Sequence, residues 1–275
     1  MGIIKKIKFS LCWDYIWLSE KRIGILSRVT YFFMKYYSFI FHLKEINYLG
    51  HTVYSDNVTT PVTLQSYPSE IYNIAKYINL NNRSLILDIG ANIGHFSITL
   101  SSLYTKSMVY SFEANPDIYK LLLKNVKEIS QITPFNLAVG PEGNMPFYYV
   151  PGKSAKGSFI KSNAIINLGD VRASELNIDV VELSAETCSK LDIPVTYDLI
   201  KIDVEGFEYS VLDALDKIKT KYIYLEFSIG RESGYEFHEL IKKIELTFGN
   251  IKIIFCDEIN VDKSMGNILI QCLDA

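Results

Sequence analysis

The chain has 275 residues, 48% of them hydrophobic, with a formal net charge of −3 and four cysteines. That is enough for one large α/β domain with an appendage, and the weakly acidic balance gives no electrostatic footprint for a nucleic-acid partner. Cys12, Cys188, Cys256 and Cys272 are scattered, without a C-x-x-C pair or a nearby histidine at metal spacing, which fits reduced thiols rather than a metal site.

Charge is unevenly placed. Residues 1–45 hold eight Lys/Arg against three Asp/Glu, and Tyr31–Phe41 contains seven aromatics in eleven residues. Asp14 and Glu20 interrupt the apolar part and no small-residue cleavage site follows, so a secretory signal peptide fits poorly. No apolar run approaches the ~20 residues that span a bilayer. Residues 1–50 therefore read as a basic, aromatic-rich helical appendage on a domain covering 51–275. The alternatives for residues 1–45 are a homodimer contact or a peripheral membrane contact. The expected location is the cytoplasm, at most peripheral at the inner membrane face.

Pro61–Tyr67 reads as a connection, and Pro68 suits the first turn of a helix ending near Leu80. Ser84–Asp88 is a short apolar strand that leads into a glycine-bounded turn, Gly90–Gly94, and a helix from His95 to Tyr104. Met108–Glu113 is a second strand. Asn115 and Pro116 form an N-cap and first-turn pair for a helix through Ile129. Thr133–Val139 reads as a third strand, Tyr197–Asp203 as a fourth and Lys221–Phe227 as a fifth. Helices are expected at Phe207–Leu215 and Tyr235–Leu246. The last apolar stretches, Ile251–Cys256 and Ile268–Cys272, are joined too briefly for a helical crossover and are expected to be antiparallel. Strands alternating with helices predict a mostly parallel, doubly wound Rossmann-like sheet with a reversed final strand, and a ligand at the strands' carboxyl ends.

Between the third and fourth strands, residues 140–195 form a long insertion. Pro146–Val150 and Asp179–Leu183 alternate as strands, and Pro151–Leu176 is rich in Gly, Ser, Asn and Lys. Segments of this length in compact domains are commonly lids or binding loops, so the insertion is the expected acceptor-recognition element.

The first turn carries the chemistry. A dinucleotide fingerprint is G-x-G-x-x-G; here it is D-x-G-x-x-x-G, lacking the central glycine and carrying Asp88 two residues before Gly90. An anion there repels a pyrophosphate and attracts an ammonium. S-adenosylmethionine has that ammonium and no phosphate, which favours it over NAD or FAD. Glu113, at the end of the second strand, is placed to accept hydrogen bonds from both hydroxyls of a ribose. Asn115 and Asn136 are within reach of an adenine edge, although Asn115 serves equally as an N-cap.

These residues resemble the FkbM-type S-adenosylmethionine-dependent methyltransferases. Asp88–Gly94 with Phe96-Ser97 is similar to that family's first motif, and Phe112-Glu113-Ala114-Asn115-Pro116 to its second, with Ala114 where Pro is usual. Asn136-Leu137-Ala138-Val139-Gly140 resembles the third, and Leu199–Glu208 the most distinctive block. The resemblance spans about residues 52–272. It implies a methyltransferase fold, with Asp88, Gly90, Ala91, Asn92, Gly94, Glu113, Ala114, Asn115, Asn136 and Ala138 around the cofactor. It also implies O-methylation of a sugar, glycan or other natural product.

Methyl transfer to a hydroxyl needs positioning of two atoms and a base for the hydroxyl proton. Asp203 and Glu205, at and just past the end of the fourth strand, are the candidate bases, and Glu226 at the end of the fifth can assist. Alternatively these carboxylates hold Mg²⁺. Lys201 lies two residues before Asp203 on the same strand face and tempers its charge. His95 and His238 are weaker candidates. The competing readings are a non-catalytic binding protein on the same fold and a nicotinamide-dependent oxidoreductase.

Overall fold

The computed structural model describes residues 24–26, 28–30, 33, 44–55, 72–149, 157–161, 174–228, 235–256 and 265–275. Most of the basic aromatic N-terminal segment, the connection through Pro68, Cys12 and much of the insertion lie outside the described residues. Among the described residues no helix is long and apolar enough to cross a membrane.

The domain opens with an antiparallel hairpin, β1 (Glu45–Tyr48) and β2 (His51–Tyr54). Its two-residue turn, Leu49-Gly50, has positive φ at both positions (52° and 87°), as a hairpin turn matched to strand twist requires. A leucine there gives none of the Asn-Gly signal that marks such turns, and the hairpin was not expected. α1 (Tyr72–Tyr77) precedes β3 (Leu85–Ile89), in which four of five residues are buried, as expected of a strand covered on both faces. α2 (His95–Leu103) and β4 (Met108–Phe112) follow. α3 (Pro116–Val126) starts where the Asn115 side chain accepts a hydrogen bond from the Asp117 amide at 3.0 Å. It buries Ile118, Leu122 and Val126, one stripe at four-residue spacing.

The expected third strand divides in two. β5 (Ile132–Phe135) pairs with β4, whereas β6 (Ala138–Val139) leaves to join a second sheet. Asn136 marks the break, its Nδ2 donating to the carbonyls of Glu113 at 2.9 Å and Ala114 at 3.2 Å. The insertion's two strands are β7 (Gly143–Tyr149) and β8 (Ser174–Val181), a little earlier than expected, and they form an antiparallel pair in a small sheet ordered β6-β8-β7. α4 (Ala185–Leu191) was not expected. It is capped by Ser184, whose side chain accepts from the Thr187 amide at 3.1 Å.

β9 (Thr196–Ile202), α5 (Glu208–Asp213), β10 (Lys219–Ser228), α6 (Phe237–Phe248), β11 (Ile251–Cys256) and β12 (Met265–Cys272) complete the chain. The main sheet runs β11-β12-β10-β9-β3-β4-β5. β5, β4, β3, β9 and β10 are mutually parallel, and β12 is antiparallel to both neighbours. The expected Rossmann-like sheet with its reversed final strand is therefore present.

One face of the sheet packs Ile86, Val109, Leu199 and Leu269 against Phe96, Leu100, Leu122 and the hairpin residues Tyr48 and Val53. The other packs Leu87, Ile89, Ile200 and Leu225 against Val211, Leu212, Leu240 and Ile244. On the first face, one register line crosses four strands as Tyr224, Lys201, Asp88 and Ser111. A lysine, a carboxylate and a hydroxyl thus lie side by side in the middle of an apolar sheet.

At the carboxyl ends, the turns after β3 and β9 touch. Gly90 has φ +82°, and a Cβ on it would lie 1.8 Å from the Asp203 carbonyl oxygen. Gly50 has nearly the same φ, +87°, but open space around it. Gly90→Ala is therefore expected to lose ~3 kcal/mol or more in urea unfolding, while Gly50→Ala loses about 1 kcal/mol. Equal losses in the two variants would mean that backbone strain alone, and not contact between the turns, fixes Gly90.

Candidate active site

The first half of the site is the turn after β3. The Gly90 and Ala91 amides donate to the Phe112 carbonyl at 3.0 and 2.9 Å, tying the turn to the end of β4. Asn92 takes φ +51°, and its side chain accepts from the Ile93 amide at 2.8 Å, a local bond that helps asparagine hold this conformation. Gly94 follows at φ +93° and starts α2.

Glu113 closes this half. Its Oε2 accepts from the Asn92 amide and its Oε1 from the Asn115 amide, both at 2.8 Å. One carboxylate therefore pins the turn after β3 to the start of α3. Burial pushes the Glu113 acid up to about 7, against the pull of the two amides and of Lys201, with Asp88 adding to the rise.

Lys201 joins the two halves. Its ammonium, buried with the rest of its side chain, donates to the Gly90 carbonyl at 3.0 Å and lies 3.2 Å from Asp203 and 3.5 Å from Asp88. It also sits 5.6 Å from the centroid of the Phe96 ring. Asp88 is fully buried and accepts from the Ser97 hydroxyl at 2.5 Å, with Ser111 at 2.8 Å from Ser97 in turn. Sequence placed Asp88 at the methionine end of a cofactor; in the structure its carboxylate lies beneath the turn, among Ser97 and Lys201.

The second half is the turn after β9. The Asp203 amide donates to the Ile89 carbonyl at 3.0 Å, and the Asp203 side chain is 25% exposed and reaches solvent. Glu205 and Gly206 then take φ +50° and +98°. Glu205 is not glycine, asparagine or aspartate, so its left-handed backbone is strained and must be held by its neighbours. The Ser158 hydroxyl donates to the Glu205 carbonyl at 2.9 Å, and the Gly206 amide donates to Glu208 Oε1 at 2.7 Å. The Tyr235 hydroxyl donates to the other Glu208 oxygen. Burial pushes the Glu208 acid up to about 7, opposed by the Tyr235, Gly206 and Glu208 donors, while Asp203 adds to the rise.

Asp88, Gly90, Ala91, Asn92, Gly94, Glu113, Asp203 and Glu205 are thus gathered at the ends of three neighbouring strands. Glu226 is half-buried one residue past the Leu225–Ile202 pair, which puts it level with Asp203 on the adjoining strand. Asn115 gives its side-chain oxygen to the α3 cap, as its N-cap reading expects, while Asn136 holds two backbone carbonyls and Ala138 is buried in the small sheet opposite Val180. His95 is buried at the start of α2, and His238 is exposed on α6. Ser97, Ser158, Glu208 and Tyr235 were not foreseen. Ser97 and Glu208 lie within the quoted motifs, but Ser158 and Tyr235 reach their partners across 47 and 27 residues and carry no local signal. Among the described residues no group of three or more His, Cys, Asp or Glu is placed to hold a metal ion.

Comparison with known proteins finds relatives named as methyltransferases. Methyltransferase sdnD of Sordaria araneosa is 26% identical over 175 residues, covering 55% of this chain and 66% of its own length. Methyltransferase 1 of Beauveria bassiana (strain ARSEF 2860) is 27% identical over 147 residues, covering 48% and 59%. The chain thus spans less than two thirds of the length of these relatives. The crystal structure of the methyltransferase FkbM from Methylobacillus flagellatus KT superimposes with a TM-score of 0.47 at 16% identity, covering 78% of this chain and 53% of that one. The family described as the methyltransferase FkbM domain matches residues 88–249. That match covers more than half of the sequence and runs from Asp88 through Glu113 and the Asp203–Glu208 turn to the end of α6: the chain belongs to the methyltransferase FkbM domain family.

Proposed function

We propose that this chain is an S-adenosylmethionine-dependent methyltransferase that methylates a hydroxyl of a sugar, glycan or other natural product. The observation that carries the cofactor assignment is Glu113. Each of its oxygens accepts one backbone amide at 2.8 Å, which leaves further lone pairs for the two hydroxyls of a ribose. The Gly90–Gly94 backbone fits the methionine end, and Asp88 supports it from below through Ser97 and Lys201. The cofactor supplies an electrophilic methyl group on a sulfonium. The protein's part is to hold the acceptor in line, keep water out and receive the hydroxyl proton. Asp203, Glu205 and Glu226 are the carboxylates available for that proton. O-methylation is favoured because a hydroxyl, a poor nucleophile at neutral pH, is the acceptor that most needs such a base. No step is assigned to Mg²⁺, given the ligand sets seen among the described residues.

The direct test is calorimetric binding of S-adenosylhomocysteine and NADH to wild type, Glu113→Gln and Glu113→Ala. Micromolar binding of S-adenosylhomocysteine, weakened at least tenfold in both variants, is expected. Binding of NADH instead, or of neither, would sink the cofactor assignment.

The acid at position 113 also sets a pH dependence. Its folded value near 7 lies above the ordinary 4.5, so without ligand it holds a proton that the unfolded chain has lost. Its share of stability is therefore present below about 4.5 and is lost as pH rises through about 7. Two ribose donors favour the carboxylate, so binding releases that proton. Affinity for S-adenosylhomocysteine is expected to rise with pH by up to about tenfold per unit below 7 and to level off above it. Glu113→Gln removes this slope, and titrations in buffers of different ionisation enthalpy read the proton directly. A flat profile in wild type would show that the ligand does not engage Glu113.

Once a hydroxyl acceptor is found by screening, Asp203→Asn, Glu205→Gln and Glu226→Gln should be assayed separately. Loss of at least about 100-fold in kcat, with S-adenosylhomocysteine binding retained, identifies the base. Full turnover in all three would exclude carboxylate catalysis.

A further inference from the structure

The turn after β9 is gripped from two sides by groups that lie outside the turns after β3 and β4. From the insertion, the Ser158 hydroxyl donates to the Glu205 carbonyl and accepts from the Ile160 amide at 3.0 Å. Ser158 is fixed in turn by two backbone hydrogen bonds with Tyr148 of β7, both 2.9 Å. The next residue, Phe159, lies 4.4 Å from Phe207 and 5.1 Å from Phe147, ring centroid to centroid. Phe207 also rests on Gly140, where a Cβ would come within 2.7 Å of the ring. From the opposite side, buried Glu208 takes the Gly206 amide on one oxygen and the Tyr235 hydroxyl on the other.

The peptide between these grips has two successive positive-φ residues, 50° at Glu205 and 98° at Gly206. A non-glycine residue in that region costs of order 1–3 kcal/mol and persists only where its surroundings determine it. The Ser158 and Glu208 contacts fall on the two residues that carry the strain. We infer that Ser158 and Glu208 are positioning residues, which clamp the left-handed Glu205–Gly206 peptide from the insertion and from α5 and so fix how Asp203 and Glu205 face the acceptor. This rests on the transferase reading for what the carboxylates do, but not for the clamp itself. It gives the insertion a structural role: it holds a turn whose other neighbour, through Gly90, is the turn after β3.

The test is hydrogen-exchange mass spectrometry on the full chain, comparing wild type with Ser158→Ala, Glu208→Ala, Glu208→Gln and Tyr235→Phe. Calorimetry with S-adenosylhomocysteine is run on each. Exchange of the peptide spanning residues 203–208 is expected to accelerate at least tenfold in Ser158→Ala and Glu208→Ala. The β3 and β4 peptides should stay protected. Glu208→Gln keeps an acceptor for the Gly206 amide and is expected to restore protection to within threefold of wild type. Tyr235→Phe, which removes a single hydroxyl, should give an intermediate rate if Glu208→Ala fails to fold. With an acceptor in hand, Ser158→Ala should lower kcat at least tenfold while the KM for S-adenosylmethionine changes less than threefold. Unchanged exchange at 203–208, or equal acceleration across the whole sheet, would overturn the clamp. Failure of wild type to bind S-adenosylhomocysteine would defeat the cofactor reading and leave the exchange result to decide the clamp by itself.

Discussion

One buried ammonium holds this site together. Lys201 lies in the centre of the sheet, and its position requires that its charge be met on every side. The Gly90 carbonyl, Asp203 and Asp88 meet it within 3.5 Å, and the Phe96 ring covers it. Stripping two or three charges of water costs several kcal/mol per ion, and the attraction between them compensates only when every partner is in place. Removing one partner of such a set typically costs about 3–5 kcal/mol, against a total stability of about 5–15 kcal/mol for a domain. That demand falls most heavily on Asp88, which is fully buried, and less on Asp203, whose side chain is 25% exposed and reaches solvent. Lys201 fixes where the turn after β3 and the turn after β9 sit relative to each other, because it contacts both.

Glu113 and Glu208 repeat one device on the two sides of Lys201. Each is a buried carboxylate that satisfies backbone amides in a turn containing positive-φ residues, and each is lifted to about 7 by the loss of water. A neutral amide side chain could cap such a turn without this cost. A carboxylate adds stronger hydrogen bonds to the amides and, at Glu113, acceptor capacity for a diol. Glu208 has both oxygens occupied by protein donors, Gly206 and Tyr235, so its capacity is used internally. The same chemistry thus leaves acceptor capacity free at Glu113 and is used to hold shape at Glu208.

What sequence revealed follows the range of the interactions. The stretch from Ser84 to Asn115 was legible because its signals are local: a buried apolar run, a glycine turn, a cap with proline after it, and an acid at a strand end. Lys201 was placed on the correct face from its spacing to Asp203, but its contact with Asp88 depends on the β3–β9 register, which brings together residues more than a hundred apart. The division of Thr133–Val139 was hidden because Asn136 leaves the ladder to bond carbonyls at the end of the neighbouring strand. The β1–β2 hairpin was missed because Leu49 occupies a turn position at which Asn or Gly is the usual signal.

The two halves of the site consequently differ in how they are built. The half around the turn after β3 comes from one continuous segment, Asp88 to Asn115, whose carboxylate, turn and cap bond one another. The half around the turn after β9 is assembled from separate stretches, with Asp203–Glu208 gripped by Ser158 from the insertion and by Tyr235 from the approach to α6, and with Glu226 from β10 alongside. From the insertion, the grip on this turn consists of one hydroxyl, Ser158, and one aromatic ring, Phe159 against Phe207. The strained turn is thus held by contacts that reach it from 27 and 47 positions away in the chain.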